Sequence, residues 1–497
     1  MDFKDHLQRN PVFRTVGEAA ERLGFPAYVV GGYVRNLILG RESKDIDFVC
    51  VGSGIQLAQE VATLLGGTRV TVFQNFGTAM IRHQDMELEF VGARKESYRE
   101  DSRKPIVEDG SLSDDQNRRD FTINAMAIGL NAGNWGELID PFGGVQDLSA
   151  KMIRTPLAPD TTFSDDPLRM MRAIRFAAQL NFDIDADAFD SIVRNAHRLK
   201  IISMERIIDE VNKIILTPKP SYGFKLLFHS KLLHQFFPEM ALLQGVEYVG
   251  GNAHKDNFYH TLQVLDNLSK VSNDLWLRWA AILHDIAKPA TKRYDPNHGF
   301  TFHGHEDKGA RMTPGIFRRL KLPMGENMTF VQKLVRLHLR PISLAYKVTD
   351  SAIRRLLFEA GDDIDGLMIL CRADITSKNV EKVTRFLKNF DLVEQRMKEV
   401  EAKDHIRNFQ PPVSGEDIMK ALGIGPGKII GVIKDKIKDA ILEGEIQNNR
   451  PEAWELMKRI ATENGFTVTL IEQTNETPTD PNAGDRDTDS GFSPKEK

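Results

Sequence analysis

Apolar residues in the first 25 positions recur at helical spacing. Val12, Phe13, Val16, Ala19, Ala20 and Leu23 share one face, which predicts an amphipathic helix over residues 1–25. From 26 to 92 the pattern shortens to apolar runs of strand length around one helical segment at 55–65, predicting a small mixed α/β sheet. Within it Asp45 and Asp47 alternate with Ile46 and Phe48, as on a half-buried strand, and Glu87 and Glu89 alternate in the same way within MELEF. Residues 94–117 are polar and charged with few apolar positions, and read as a long mobile loop. The segment FTINAMAI that follows predicts a helix. From 163 to about 238 the pattern is helical throughout, and from 254 to about 402 it stays helical but is punctuated by histidines. A last segment at 411–464 carries a Gly-rich turn, Gly423 to Gly427, between two helices, ahead of a Pro/Thr/Asp-rich tail whose composition predicts disorder.

Length and charge narrow the class. At 497 residues the chain exceeds one ordinary core, and about three domains are expected. A net charge of −4 argues against a generic basic nucleic-acid coat, so any RNA surface must be a local patch. Only Cys50 and Cys371 are present, too few for a disulfide framework or a cysteine metal cluster. No apolar run approaches the roughly 20 residues that span a bilayer, and MDFKDHLQRN lacks the apolar stretch of a secretory signal. A cytoplasmic protein without a membrane partner is the expectation.

The chemistry gathers first between Val29 and Val49, VVGGYVRNLILGRESKDIDFV. Gly31-Gly32 follows an apolar run, where the chain can turn with backbone N–H groups open to phosphate. Arg35 lies just beyond, at the start of an expected helix, where its guanidinium can fork onto a triphosphate. Alternation places the carboxylates of Asp45 and Asp47 on one face with Cα atoms about 7 Å apart. That spacing suits a pair of Mg²⁺ ions, which phosphoryl-transfer sites hold about 3.5–4 Å apart. Further on, DDPLRMMRAIRF spaces Asp166 and Arg169 three apart, hence on one helix face, with Arg172 and Arg175 continuing the line. A carboxylate acceptor beside a guanidinium donor can imitate the edge of a partner base.

These motifs, with RRDFTINAMA (118–127) and DPFGGVQDL (140–148), resemble in content and order the class II tRNA nucleotidyltransferases. That family has a DNA polymerase β-like palm and includes the CCA-adding enzymes and bacterial poly(A) polymerases. The resemblance covers roughly the first half of the chain. It implies that Asp45 and Asp47 are catalytic metal ligands with Glu89 as the third carboxylate. It implies a nucleotide site drawn from Gly32, Arg35, Arg119, Asp120, Asn124, Asp166, Arg169 and Arg172, with Arg119 on the nucleotide and Asp120 and Asn124 shaping the ribose site. Asp166 and Arg169 would select CTP and ATP without a nucleic-acid template. The family's motif usually begins with Glu, where this chain has Asp165, which bears on how the selecting pair is braced. The stretch 94–117 matches the loop used on switching to ATP, which argues against a CC-only enzyme. The implied activity is addition of CMP and AMP from CTP and ATP to the tRNA 3′ end, with Mg²⁺. The alternative is a poly(A) polymerase or A-adding enzyme acting on RNA 3′ ends.

A second constellation runs through FYHTL, ILHDIAKP, FHGHEDKGA, LVRLHLRP and LCRADITSKN. His284-Asp285 on an apolar helix is poorly placed unless it ligates something. With His260 and Asp374 it makes an N/O set suited to a divalent transition metal or Mg²⁺, the imidazoles favouring Mn²⁺, Ni²⁺ or Co²⁺. His305 and His338 complete a second metal position, with His303 as a neighbour. The series resembles the HD phosphohydrolase domain, which implies hydrolysis of a 3′-phosphate or 2′,3′-cyclic phosphate. A phosphohydrolase whose palm only binds RNA would need no metal dyad, and an HD scaffold would need no ligand set.

The expected fold is multidomain α+β: a small N-terminal mixed α/β nucleotidyltransferase palm, then all-α neck, HD and C-terminal regions. Its predicted divisions are a palm at 1–155, a helical neck at 156–245, an HD domain at 246–405, a helical C-terminal segment at 406–472 and a tail at 473–497. The turn at 423–427, with Lys428 and Lys434, suits RNA phosphate as well as it suits plain helix packing.

Overall fold

The computed structural model describes residues 1–99, 102–245, 248–249, 252–253, 256–296, 299–344, 349–377, 379–404, 406–407 and 409–468. The expected disordered tail at 473–497 lies outside them. The chain forms two compact units, one of Met1–Lys347 with Ala360–Gln395, the other of Val348–Glu359 with the chain from Arg396 onward.

The first unit opens with helices α1 (Lys4–Arg9) and α2 (Pro11–Leu23) in place of the single expected helix. Asn10 breaks the pattern: its side chain accepts a bond from Val12 N, and Pro11 occupies the first helical position. Strand β1 (Ala27–Val30) then runs into α3 (Gly32–Ile38), followed by β2 (Asp45–Cys50), α4 (Gly54–Leu64), β3 (Val70–Phe73), β4 (Thr78–His83) and β5 (Met86–Gly92). With β8 (Ala127–Gly129) and β9 (Leu138–Ile139) they form a sheet of order β3-β4-β5-β2-β1-β8-β9. The β2–β5 pair is parallel and matches Asp45 to Glu87 and Asp47 to Glu89. Phe48 and Phe90 stack behind that pair at 5.1 Å, with Phe13 of α2 edge-on to Phe48. The sheet's buried face is thus aromatic, and alternation leaves the carboxylates on the other.

Two expectations fail here. Residues 94–117 are not an irregular loop. Strands β6 (Arg94–Arg99) and β7 (Ser102–Asp109) pair as an antiparallel hairpin, and α5 (Leu112–Asn117) follows under a Ser111–Asp114 capping box. Backbone ladder bonds need no apolar face, so a polar hairpin gives no hydrophobic signal. FTINAMAI is likewise not a helix. It forms a short 3-10 turn at Thr122–Asn124 and then β8, because pairing with β1 outweighs local helical spacing.

Helix α6 (Gly144–Ala150) leads to β10 (Met152–Ile153), α7 (Pro159–Asp165), α8 (Leu168–Leu180) and β11 (Asp183–Ile184), with β10 and β11 paired in parallel. Asp166 lies outside the helix it was expected to share with Arg169. Its backbone is extended before Pro167, which disfavours helical geometry at the preceding residue. The neck continues through α9 (Ala186–Asn195), α10 (Met204–Ile215), α11 (Pro220–His229), α12 (Leu232–Phe236) and α13 (Pro238–Ala241). Short strands β12 (Tyr248–Val249) and β13 (Asn252–Ala253) precede α14 (Asn257–Ser269) and α15 (Leu275–Leu283), each N-capped by an aspartate, Asp256 and Asp274. After α16 (Lys288–Thr291) come a hairpin of β14 (Arg293–Asp295) and β15 (Gly299–Thr301), then α17 (His305–Arg319), α18 (Glu326–Leu337) and α19 (Arg340–Leu344). Helices α20 (Asp350–Ala360) and α21 (Ile364–Asp374) follow, and α22 (Val380–Asp404) begins in the first unit and ends in the second.

Neck and histidine-bearing helices meet on Arg278, which is only 1% exposed. Its guanidinium donates to the carbonyls of Ile215 (2.7 Å) and Thr217 (3.0 Å) at the end of α10, and to Ser269 (3.1 Å) and Ser272 (2.8 Å) at the end of α14. One cation thereby satisfies orphan carbonyls of two helix C-termini, where positive charge is favoured. The second unit closes on itself through Arg354–Asp404 (2.7 Å), Arg355–Glu443 (2.7 Å) and the Phe358–Phe409 contact. It also holds α23 (Gly415–Leu422), α24 (Lys428–Glu443) and α25 (Arg450–Glu463), the glycine turn falling between α23 and α24 as expected.

Candidate active sites

The first site lies where β1 ends against β2 and β5. Gly31 has φ +72°, and a Cβ built on it would lie 3.2 Å from Asp47 Oδ2 and 3.1 Å from Arg119 Nη1. Only glycine allows that turn and that close approach together. Asp47 and Glu89 are register partners on adjacent strands, so their carboxylates face one another across about 5 Å of sheet. Burial pushes Asp47 above the usual carboxylate range, with Asp45 adding to the rise against the pull of Arg119. Burial and the charge of Asp47 do the same to Glu89. These carboxylates are arranged in mutual repulsion, which a divalent cation would relieve, so the residues present fit the metal that the motif implies. Glu87, the other carboxylate of β5, is engaged by Arg82 at 3.2 Å.

Around this dyad sits a cluster of guanidinium groups. Arg35 is 8% exposed and, among the described residues, pairs with no carboxylate; it donates to Asn124 Oδ1 at 2.7 Å. Burial lowers its pKa to about 10, with the charges of Arg175, Arg41 and Arg172 adding to the fall against the pull of Asp120. Asn124 in turn donates to Asp120, whose other oxygen takes two bonds from Arg172 at 2.7 and 2.6 Å. Burial alone would raise Asp120, but the Arg172 guanidinium outweighs it and brings the carboxyl down to about 2. Arg35, Arg172 and Arg175 all lie over the ring of Phe176, 4.0–5.4 Å from its centroid. Arg175 is turned away onto Glu210 at 2.5 Å and leaves the line of selecting residues.

A cavity of about 640 Å³ is lined by Arg118, Arg119, Asp120, Asp166, Arg169 and Arg172 with residues of α10. Arg169 spends two of its N–H groups on backbone carbonyls, Arg118 O at 2.6 Å and Thr162 O at 3.3 Å. Asp166 takes Leu168 N at 3.2 Å. The pair thus faces the cavity from two elements held in register by backbone bonds. Sequence reasoning missed the residues that brace it. Asp115 holds both Arg118 (2.5 Å) and Arg119 (2.9 Å), and Glu96 of the hairpin reaches Arg118 at 3.3 Å. The acids at i−3 and i−4 of the arginine pair were a legible signal for Asp115, whereas nothing local announces Glu96 or Glu210.

The second site joins five elements. His260 comes from α14, His284-Asp285 from the end of α15, His305 from the start of α17, His338 from the end of α18 and Asp374 from the end of α21. Asp285 bridges two sets whose ligand atoms all lie within 4.8 Å, one with His260 and His284, the other with His305 and His338. Asp374 Oδ1 is 2.9 Å from His260 Nε2 and 3.7 Å from His284 Nε2. In His284, His305 and His338 the Nδ1 atom bonds a backbone carbonyl at 2.7–2.8 Å. This fixes the proton on Nδ1 and turns the Nε2 lone pair inward. Those three Nε2 atoms are buried without a hydrogen-bond partner, and two of them face Asp285 oxygens at 3.2–3.3 Å. Lone pairs set against carboxylate oxygens call for a cation between them. Burial lowers His338 to about 4, keeping that imidazole neutral. His303 is exposed and outside the cluster. Two supporting residues were missed: Lys288, 2.6 Å from Asp285, and Thr376, 3.0 Å from His260 Nδ1.

Three family models match in order along the chain: the poly(A) polymerase head domain over 27–154, the probable RNA- and SrmB-binding site of polymerase A over 181–243, and the HD domain over 257–379. An A-adding tRNA nucleotidyltransferase of Deinococcus radiodurans is 31% identical over 432 residues, 84% of this chain and 92% of that protein. A CC-adding tRNA nucleotidyltransferase of Thermus thermophilus is 29% identical over 436 residues, 84% of this chain and 90% of its own. Among solved structures, a CCA-adding enzyme with ATP superposes with a TM-score of 0.63 over 93% of this chain and 99% of that one, at 22% identity. No helix among the described residues is long and apolar enough to cross a membrane.

Proposed function

The chain belongs to the tRNA nucleotidyltransferase and poly(A) polymerase family, and from that premise we propose that it adds CMP and AMP from CTP and ATP to the 3′ end of tRNA. The observation that carries this is the meeting of Asp45, Asp47 and Glu89 with the Gly31 turn, beside a cavity lined by Asp166, Arg169 and Arg172. In the reaction the RNA 3′-oxygen bonds to the α-phosphorus, the bond to the β-phosphate oxygen breaks, and pyrophosphate leaves. Asp45, Asp47 and Glu89 would hold divalent ions, Mg²⁺ by its preference for oxygen ligands, and such ions supply the charge that activates the hydroxyl and stabilises the leaving group. Arg35 and Arg119 neutralise the triphosphate, and Gly31-Gly32 allows it to approach the backbone. Asp120 and Asn124 bind the ribose edge while holding Arg172 and Arg35 in place. Asp166 and Arg169 offer an acceptor and donors to the base, so CTP and ATP are read by protein in place of a template.

A second reading, addition of A alone, is favoured by the 31% identity to an A-adding enzyme across nearly its whole length. Incubating the protein with tRNA lacking its last three nucleotides, with each NTP alone and with all four, decides between them. Full CCA synthesis gives a three-nucleotide extension with CTP and ATP together. An A-only enzyme extends only tRNA that already ends in CC, and long A tracts would mark a poly(A) polymerase. No extension of any RNA would sink the reading.

For the second site we propose metal-dependent hydrolysis of a 3′-phosphate or 2′,3′-cyclic phosphate. Imidazole nitrogens favour Mn²⁺, Ni²⁺ or Co²⁺ over Mg²⁺, held by His260, His284, Asp285 and Asp374 with His305 and His338. Either blocked end would lack the free 3′-hydroxyl that addition requires.

A further inference from the structure

The open face of the palm sheet does not end at the carboxylates. Register carries the row of Asp47 and Glu89 to Met80 on β4 and on to Thr71 on the edge strand β3, so all four share one face. Phe73, two residues beyond Thr71, lies on that face too. Val72 alternates to the other side, in the row of Phe90 and Phe48. Phe73 therefore points away from the aromatic core and is 43% exposed, while Phe76, in the 3-10 turn that follows, is 71% exposed. Strand β3 has a neighbour on one side only, so its outer edge is open among the described residues. Charge sets this edge apart as well. From Val61 to Gln84 the chain carries no acidic residue, although acids hold 70 of its 497 positions, so nothing within the stretch repels a polyanion. Arg69, two residues before Thr71, is exposed and makes no ion pair among the described residues, whereas Arg82 is held by Glu87 at 3.2 Å. Exposed rings beside a free cation suit unpaired nucleic acid, whose bases stack on aromatic faces while its phosphates meet positive charge. Adjacent strands lie about 4.8 Å apart, which sets Thr71 roughly 10 Å from Glu89 and 14 Å from Asp47 along the sheet. A stacked strand advances about 3.4 Å per nucleotide, so it reaches β3 about three or four nucleotides behind its reacting end.

We propose that β3 and the turn after it form a platform for the unpaired stretch of the acceptor RNA just behind its 3′ end. A base stacks on Phe73, Phe76 offers a second ring, and Arg69 takes a phosphate. The platform holds the acceptor strand and leaves the incoming nucleotide to the arginine-lined cavity. The inference rests on the nucleotide-addition reading for the identity of the RNA end, but binding to the platform is measurable without addition.

The test is fluorescence anisotropy of a labelled single-stranded RNA ending in CC, titrated with the full-length protein without nucleoside triphosphate. Phe73→Ala should weaken binding about tenfold, the worth of one stacked base, and Phe73→Trp should keep it. Arg69→Ala, which leaves both rings, should weaken binding and flatten the slope of log affinity against log salt by about 0.7, as for one phosphate of a single strand. A blunt duplex should bind wild type and the Phe73 variants equally. In addition assays Phe73→Ala should raise KM for tRNA lacking its terminal A by the same factor and leave KM for ATP unchanged. Equal RNA affinity in wild type, Phe73→Ala and Arg69→Ala would overturn the platform and leave the addition reading standing. Phe73-dependent binding with no addition to any RNA would uphold the platform and sink the addition reading. Phe73→Trp as weak as Phe73→Ala, or an equal loss on the duplex, would make the ring structural and overturn the proposal. A wild-type dimer that Phe73→Ala splits, at unchanged RNA affinity, would assign the edge to a second copy of the chain and also overturn it.

Discussion

Asp120→Asn is the sharpest probe of the first site, because it preserves shape and removes one charge. In the wild type Asp120 accepts two bonds from Arg172 and one each from Asn124 Nδ2 (3.1 Å) and Phe121 N (2.9 Å). Its pKa falls from 3.8 to about 2 on folding, the Arg172 guanidinium overcoming the opposing effect of burial. At ~1.4 kcal/mol per pKa unit the drop corresponds to about 2 kcal/mol. The Arg172 side chain is 35% exposed, so solvent screening trims the figure to about 1–2 kcal/mol. Because the folded pKa is depressed, this stabilisation is fully present above the unfolded value near 3.8 and is lost as pH falls through about 2. Urea denaturation at pH 7 should show a midpoint lower by roughly 0.5–1 M in the variant, given an m-value of about 1–3 kcal/mol/M. The gap should narrow between pH 4 and pH 2.5. Steady-state kinetics on CTP and ATP should show kcat falling with both, because Arg172 and, through Asn124, Arg35 lose their common anchor. A stability gap that persists unchanged to pH 2.5, or kinetics that change for one nucleotide alone, would refute the argument.

Three further outcomes follow from the two sites. Asp47→Asn should abolish nucleotide addition in Mg²⁺, yet in EDTA its urea midpoint should equal or exceed wild type at pH 7, since the raised pKa of Asp47 means its charge opposes folding; residual addition above a few per cent would exclude it as a metal ligand. Asp166→Ala and Arg169→Ala should narrow the ratio of kcat/KM between CTP or ATP and UTP or GTP on matched tRNA ends, whereas equal losses for all four would make the pair structural. His284→Ala should lower the transition metal measured in the purified protein by mass spectrometry while addition to a clean 3′-hydroxyl survives; unchanged metal content would show that the cluster is not its site.

The motif residues were legible because their chemistry is local in sequence. Asp45 and Asp47 declare a strand face by alternation, and Gly31-Gly32 declares a turn. The histidines were legible as a set although five elements deliver them, because His284 and His338 interrupt apolar stretches and His260 and His305 stand in short motifs in order around them. What stayed hidden depends on partners far along the chain. FTINAMAI has helical spacing, but β1 claims it as a strand. The segment 94–109 has few apolar residues in its sequence, so only its backbone ladder shows what it is. Asp166 belongs to no helix because Pro167 follows it. Glu96 lies 22 residues from Arg118, and Glu210 lies 35 from Arg175; no periodicity spans such distances.

Arg278 has a consequence for how the neck and the histidine-bearing helices can move. Its guanidinium binds the ends of α10 and α14 from a site closed to water, so moving one helix away from the other would strand a buried cation and several carbonyls at once. The chain has no soft joint there. The neck and the histidine-bearing helices therefore move as one body.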